Sequence, residues 1–150
     1  MPTRFAILLV EDDLAIIDII IRTARTSFPE ADFVAVKTFE EAVVYFYNME
    51  GMGPRLALLD IHLNGSQTGL DFLSLIKQHP LGKLVPVVIL SASQSVHDQR
   101  DAYKRGAASF VSKPFTLSEW KMLLGELRAY WHNAVTLPRT WFEKNQQANY

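Results

Sequence analysis

Residues Phe5 to Asp13 read FAILLVEDD, six apolar residues in succession followed by three carboxylates. A continuous apolar run of this length suits a strand covered on both faces, as in a parallel sheet packed between helices. The acids end the run abruptly, so the stretch reads as a buried strand that delivers charge to one end of a sheet. Asp13 is placed to cap a helix, because Ile16, Ile17, Ile20, Ile21 and Ala24 then share one face at helical spacing.

Further runs of strand length follow at Asp32 to Val36 (DFVAV), Leu56 to Asp60 (LALLD), Pro86 to Ser91 (PVVILS) and Ala108 to Ser112 (ASFVS). Segments of helical period separate them, the pattern of βα units around a parallel sheet. The expected class is α/β, a flavodoxin-like (βα)5 doubly wound parallel sheet with strand order 2-1-3-4-5 and a short C-terminal extension. The first, third and fourth runs are almost purely apolar and should be central. Thr38 with Glu41 and Thr116 with Glu119 predict capping boxes, the former opening a helix that should stop at Gly51. Phe115 and Trp120 are spaced for a hydrophobic staple. A helix over Gly69 to Gln78 buries Leu70, Leu73 and Ile76 and ends before Pro80. The helix over Ser95 to Arg105 has only Val96, Ala102 and Tyr103 as apolar anchors, so it is expected to be loosely held.

The 150 residues suit one domain able to bury roughly 70% of the surface its unfolded chain exposes. Zero cysteines exclude a disulfide scaffold, a thiolate metal site and a cysteine nucleophile. Fifteen basic against sixteen acidic residues give no electrostatic case for nucleic acid or an anionic membrane. No apolar run approaches about 18 residues and no signal-peptide cleavage site follows the first one, so a cytoplasmic location is expected.

Ligands of open parallel sheets bind beyond the carboxyl ends of the strands. Standing there are Glu11, Asp12 and Asp13 after the first strand, Asp60 after the third, Ser91 at the fourth and Lys113 after the fifth. The two acid-bearing ends are neighbours in the expected order. Carboxylates sharing a pocket repel one another, and a hard divalent cation with oxygen ligands relieves this. Asp12 and Asp60 are the expected direct ligands of Mg²⁺, with Mn²⁺ as a substitute, and Glu11 holds a coordinated water. Lys113 supplies a compensating charge, and the Ser91 hydroxyl can donate to an oxyanion. Such a site suits phosphoryl transfer to a carboxylate, with Asp60 best placed as nucleophile. Taken singly, each residue has a plainer explanation. Acids are favoured at helix starts, Asp after a strand is a common turn residue, and Lys before Pro is usually at the surface. Their joint placement favours the functional explanation. His62, His79, His97 and His132 show no metal-ligand spacing and read mostly as surface residues.

With LLVEDD (Leu8 to Asp13), LLD (Leu58 to Asp60), LSAS (Leu90 to Ser93) and FVSKPF (Phe110 to Phe115) in this order, the chain resembles the receiver domain of two-component response regulators over about residues 4 to 132. The resemblance implies a signalling protein rather than a turnover enzyme. A sensor histidine kinase or phosphotransfer protein would phosphorylate Asp60, with Mg²⁺ held by Asp12, Asp60 and the backbone carbonyl of His62, and by Glu11 through water. Ser91 and Phe110 would be the switch pair, Ser91 and Lys113 would hold the phosphoryl group, and the Lys113–Pro114 bond would be cis. The loop after Asp60 departs from the family. It reads HLNGSQTG, with Asn64 where most members have proline and one extra residue before Gly69. His62 occupies a position that in the family flanks the attacking water.

The receiver is assigned to residues 1–133 and an extension to 134–150. Trp120, Leu123, Leu124, Leu127, Trp131 and Ala134 form the core-facing stripe of the last helix. Tyr130, Trp131, Val135, Leu137, Trp141 and Phe142 mark an expected dimer or partner interface, since such aromatics are over-represented at interfaces. From Glu143 the polar run EKNQQANY should fray. AYWHNAVTLPRTW also resembles the C-terminal extension of single-domain regulators that partner bacterial phytochromes. With no room for a DNA-binding module, output is expected through a partner or a homodimer. Competing readings are a Mg²⁺-dependent phosphohydrolase, which would want an acid where His62 stands, and a pseudo-receiver, which would lack an acid or the lysine. A flavin-binding protein would want a phosphate-cradling loop where this chain has three acids.

Overall fold

A computed structural model describes residues 4–143. The chain runs β1 (Phe5–Val10), α1 (Leu14–Ser27), β2 (Ala31–Val36), α2 (Phe39–Tyr47), β3 (Gly51–Met52), β4 (Leu56–Leu59) and α3 (Gly69–Gln78). It continues through β5 (Val87–Ser91), α4 (Val96–Lys104), β6 (Ser109–Ser112), α5 (Leu117–Leu127), a π-helical turn (Arg128–Ala134) and β7 (Trp141–Phe142). The main sheet has the order β2-β1-β4-β5-β6 and is parallel throughout. This is the predicted order, because the two-residue β3 stands outside it and pairs antiparallel with β7, Met52 opposite Trp141.

Side-chain alternation along each strand divides the core in two. Ile7, Leu9, Leu58 and Val88 face α1 and α5, meeting Ile17, Ile20, Trp120 and Leu124. Leu8, Val10, Leu59 and Ile89 face the other layer, meeting Phe46 of α2, Phe72 and Leu73 of α3 and Ala102 of α4. Each buried aliphatic or aromatic side chain contributes about 1.5–3 kcal/mol. Between them they fix the strand ends that carry the polar residues. In α4 only Ala102 is buried, while Val96 and Tyr103 are exposed, so the helix is anchored still more lightly than its sequence suggests.

Several local expectations are corrected. Helix α2 ends at Tyr47, with the Asn48 N–H donating to Phe46 and Val44 carbonyls. Gly51 is not its stop but the start of β3, at φ +82°, a left-handed conformation that glycine adopts freely and that turns the chain toward β7. Thr38 and Thr116 accept from the N–H of Glu41 and Glu119 as expected. The glutamates, however, reach past the cap to the N–H of Lys37 and Phe115. The reciprocal box is instead Thr68 with Asp71, at the start of α3. Phe115 is 94% exposed while Trp120 points into the α1–α5 core, so no staple joins them. The Lys113–Pro114 bond is trans, the isomer favoured by about 0.5–1 kcal/mol for X-Pro bonds in general. His79 is buried rather than at the surface, its Nδ1 accepting from the N–H of Leu81 and Gly82.

The tail also departs from expectation. Arg128, which opens the π-helical turn, forks onto Glu30 with Nε–Oε2 of 2.7 Å and Nη2–Oε1 of 2.5 Å. Trp131 and Leu137 then pack against the α1–α5 core. Phe142 is 1% exposed, its ring centroid 6.0 Å from that of Phe46 and 5.5 Å from that of His79. Gly53 makes room for it, since a Cβ there would lie 2.2 Å from the Phe142 ring. Phe142 is therefore core and drops out of the expected interface set, because its apolar surface is already spent inside its own chain. Tyr130 and Trp141 remain exposed. The expected fraying beyond Glu143 lies outside the described residues.

Candidate functional site

Because β1 and β4 are adjacent and in register, their ends place Glu11, Asp12 and Asp60 side by side. Ligand oxygens of the three lie within 4.8 Å of one another. The Asp60 N–H donates to the Val10 carbonyl at 2.9 Å and the Lys113 N–H to that of Ser91 at 3.0 Å, so strand pairing carries on into the site. Lys113, coming off β6, spans the pocket, with its Nζ 2.8 Å from Glu11 Oε2 and 3.2 Å from Asp60 Oδ2.

Burial governs the electrostatics. Glu11 and Asp60 are almost completely buried, and Asp12 is half-exposed at the rim. Burial pushes the Glu11 carboxyl up to about 7 even though Lys113 donates to it, and the nearby Asp60 charge adds to the rise. For Lys113, burial pulls toward the neutral amine, but its contacts with Glu11 and Asp60 prevail and hold it above its ordinary value. One lysine against three carboxylates leaves a negative, oxygen-rich pocket. Its donors are those a hard divalent cation prefers, and none is a sulfur or imidazole ligand.

The rest of the site comes from loops. Ser91 is fully buried at the end of β5 and its Oγ accepts from the Ser93 N–H at 3.0 Å. Phe110 is half-buried against the α2–α3 core, and its N–H donates to the Tyr103 hydroxyl at 3.2 Å. His62 has an exposed ring, while its N–H points at Asp60 Oδ1 at 3.4 Å. Sequence reasoning did not foresee the contacts of three further residues. The Asn64 N–H donates to Asp12 Oδ2 at 3.2 Å, which a proline at that position has no hydrogen to do. Gly69 lets α3 press on the chain at the end of β4, since a Cβ there would stand 1.8 Å from the Asp60 carbonyl oxygen. Asp98 accepts from Ser93 Oγ at 2.6 Å and lies 4.0 Å from His62 Nε2, joining α4 to both loops. The Asn64 departure was visible in the sequence. The contacts of Gly69 with the Asp60 carbonyl and of Asp98 with His62 gave no local signal because these partners lie outside their own elements.

Of the expected residues, Glu11, Asp12, Asp60 and Lys113 form one cluster, with Ser91 at the neighbouring strand end. Tyr130, Trp131, Val135, Leu137 and Trp141 lie in the tail, away from these strand ends.

The model of the response regulator receiver domain matches residues 7–124. The probable methanogenesis regulatory protein FilR2 of Methanothrix harundinacea is 34% identical over 130 residues, covering 85% of this chain and 83% of that protein. Response regulator Rcp1 of Synechocystis is 27% identical over 136 residues, covering 88% and 92%. Its Mn²⁺-bound crystal structure superposes with a TM-score of 0.78 over 89% of this chain and 99% of that one. The phosphorylated cyanobacterial phytochrome response regulator RcpA superposes with a TM-score of 0.81 at 30% identity, covering 91% and 99%. Among the described residues no helix is long and apolar enough to cross a membrane.

Proposed function

Since the chain belongs to the response regulator receiver family, we propose that it accepts a phosphoryl group on Asp60 from a phosphohistidine of a sensor kinase or phosphotransfer protein. The carrying observation is the Asp60 carboxylate, buried, beside Glu11 and Asp12 and 3.2 Å from the Lys113 ammonium. An Asp60 oxygen attacks phosphorus, the P–N bond breaks, and the donor histidine leaves as imidazole after taking a proton. Asp12, Asp60 and the His62 carbonyl would hold Mg²⁺, with Glu11 engaging it through water. The metal supplies charge neutralisation for the phosphoryl oxygens. Lys113 is already charged and desolvated, so it stabilises the same oxygens without reorganising.

In this reading Ser91 gives up its contact with the Ser93 N–H to donate to the acyl phosphate, and Phe110 moves inward. α4, hung on Ser93 through Asp98, follows. Output passes through altered partner binding or self-association of the tail, with Tyr130 and Trp141 the aromatics still available to it. Similarity to RcpA and Rcp1 along nearly their whole length makes a phytochrome-type sensor kinase the proposed donor. The protein is thus a signalling switch rather than a turnover enzyme.

The test is incubation with Mg²⁺ and acetyl phosphate or a purified kinase, read on a phosphate-affinity gel. Wild type should shift, and Asp60→Asn and chelator-treated samples should not. Equal labelling of Asp60→Asn removes Asp60 as acceptor.

A further inference from the structure

The amino ends of the strands, opposite Asp60, carry a second concentration of charge. A groove of about 470 Å³ opens there between the entry to β1, the Met52 to Arg55 segment and the tail. Arg4, Arg55 and Arg139 share its walls with Phe5, Met52 and Trp131, and no acidic residue lines it among the described residues. In a chain with sixteen acids against fifteen bases this is a marked segregation. Arg105 and Arg128 elsewhere sit in close pairs with Asp101 and Glu30. Arg4, by contrast, has Asp32 at 3.8 Å with both side chains largely exposed, a pair of little strength. Arg55 and Arg139 have no ion pair among the described residues.

The fold builds this groove from distant segments. The π-helical turn after α5 contributes Trp131, and its His132 ring packs edge-on against Phe5 at 5.5 Å. Such turns are rare and often mark functional sites. Phe5 in turn lies 5.4 Å from Phe28, so the aromatic floor is fixed by the core. The volume falls within the roughly 300–1,000 Å³ of small-molecule sites.

We propose that this groove binds a small organic anion, a flat apolar ring bearing a carboxylate or phosphate. The ring lies along Trp131 and the exposed Met52, over the buried edge of Phe5, and the anionic group is held by the guanidinium groups of Arg55 and Arg139, whose planar forks match either oxyanion. A bare inorganic anion leaves the aromatic wall in water, and a neutral ring leaves the guanidinium groups without a counter-charge. The groove lies at the far end of β1 from Glu11, roughly 20 Å away along six strand residues, so binding does not require the phosphoacceptor.

The experiment is calorimetric titration of the full chain with 2-naphthoate, 1-naphthyl phosphate, 2-naphthalenemethanol and inorganic phosphate. One or both aromatic anions should bind saturably at one site and quench tryptophan fluorescence, and the alcohol and inorganic phosphate should bind at least about tenfold more weakly. Arg55→Gln/Arg139→Gln should lose about tenfold or more in affinity at unchanged Tm, whereas Asp60→Asn should bind as wild type does. Absence of binding by both aromatic anions, equal binding by inorganic phosphate, or unchanged affinity in the double variant overturns the proposal.

Discussion

The tail and α4 are both peripheral and both contain exposed aromatic residues, yet they are held in opposite ways. α4 buries Ala102 alone and is tied to its neighbours by polar contacts, Asp98 to Ser93 in the loop after β5 and Arg105 to Asp71 at the start of α3. The tail buries Phe142 completely, half-buries Trp131 and Leu137, and is clamped by Arg128 on Glu30. The element beside Asp60 is therefore easily moved and the distant one is not. In the proposed switch that is the useful arrangement, since a change at Asp60 would have only a few part-buried hydrogen bonds to overcome in shifting α4. The tail keeps its shape and with it the cationic groove it helps to form.

The largest test of this contrast is Phe142→Ala. Loss of a fully buried aromatic ring should cost about 3–5 kcal/mol in urea denaturation followed by circular dichroism. A loss below about 1 kcal/mol would show that the tail is no better anchored than α4. A smaller effect is expected from the clamp. Hydrogen bonds from Arg128 hold the Glu30 carboxyl at about 2, below its ordinary 4.5. A depressed carboxyl pKa means stability that is complete above about pH 4.5 and is lost as pH falls toward about 2. The Tm of wild type should thus fall more steeply than that of Glu30→Gln across this window, and parallel profiles would break the clamp argument. The smallest effect belongs to α4. Val96→Ala, at an exposed position, should change stability by no more than about 0.5 kcal/mol. A cost above about 1 kcal/mol would mean that α4 is packed where the structure leaves it open.

Much of the site was legible because its residues sit at the ends of strands whose apolar runs announce them. FAILLV and LALL fix where Glu11, Asp12 and Asp60 emerge, and adjacency of β1 and β4 does the rest. Contacts between elements were not legible. Nothing near Asp98 in sequence reveals His62 as its neighbour, and nothing near Gly69 reveals the Asp60 carbonyl. Phe142 was misjudged for the same reason. Its sequence neighbourhood records an aromatic residue beyond the last helix, whereas its burial depends on Gly53, Phe46 and His79 lying far back in the chain.

Periodicity and apolar runs, which are local properties, determined by themselves the βα alternation and the acids, serine and lysine at the strand ends, while the strand order was expected only from the flavodoxin-like class they suggested. The tertiary structure alone decided which aromatic residues are core and which are surface, and that three arginines from the entry to β1, the approach to β4 and the tail line one groove. Burial and pocket charge are sums over segments distant in sequence, and they take a value only when the chain has folded.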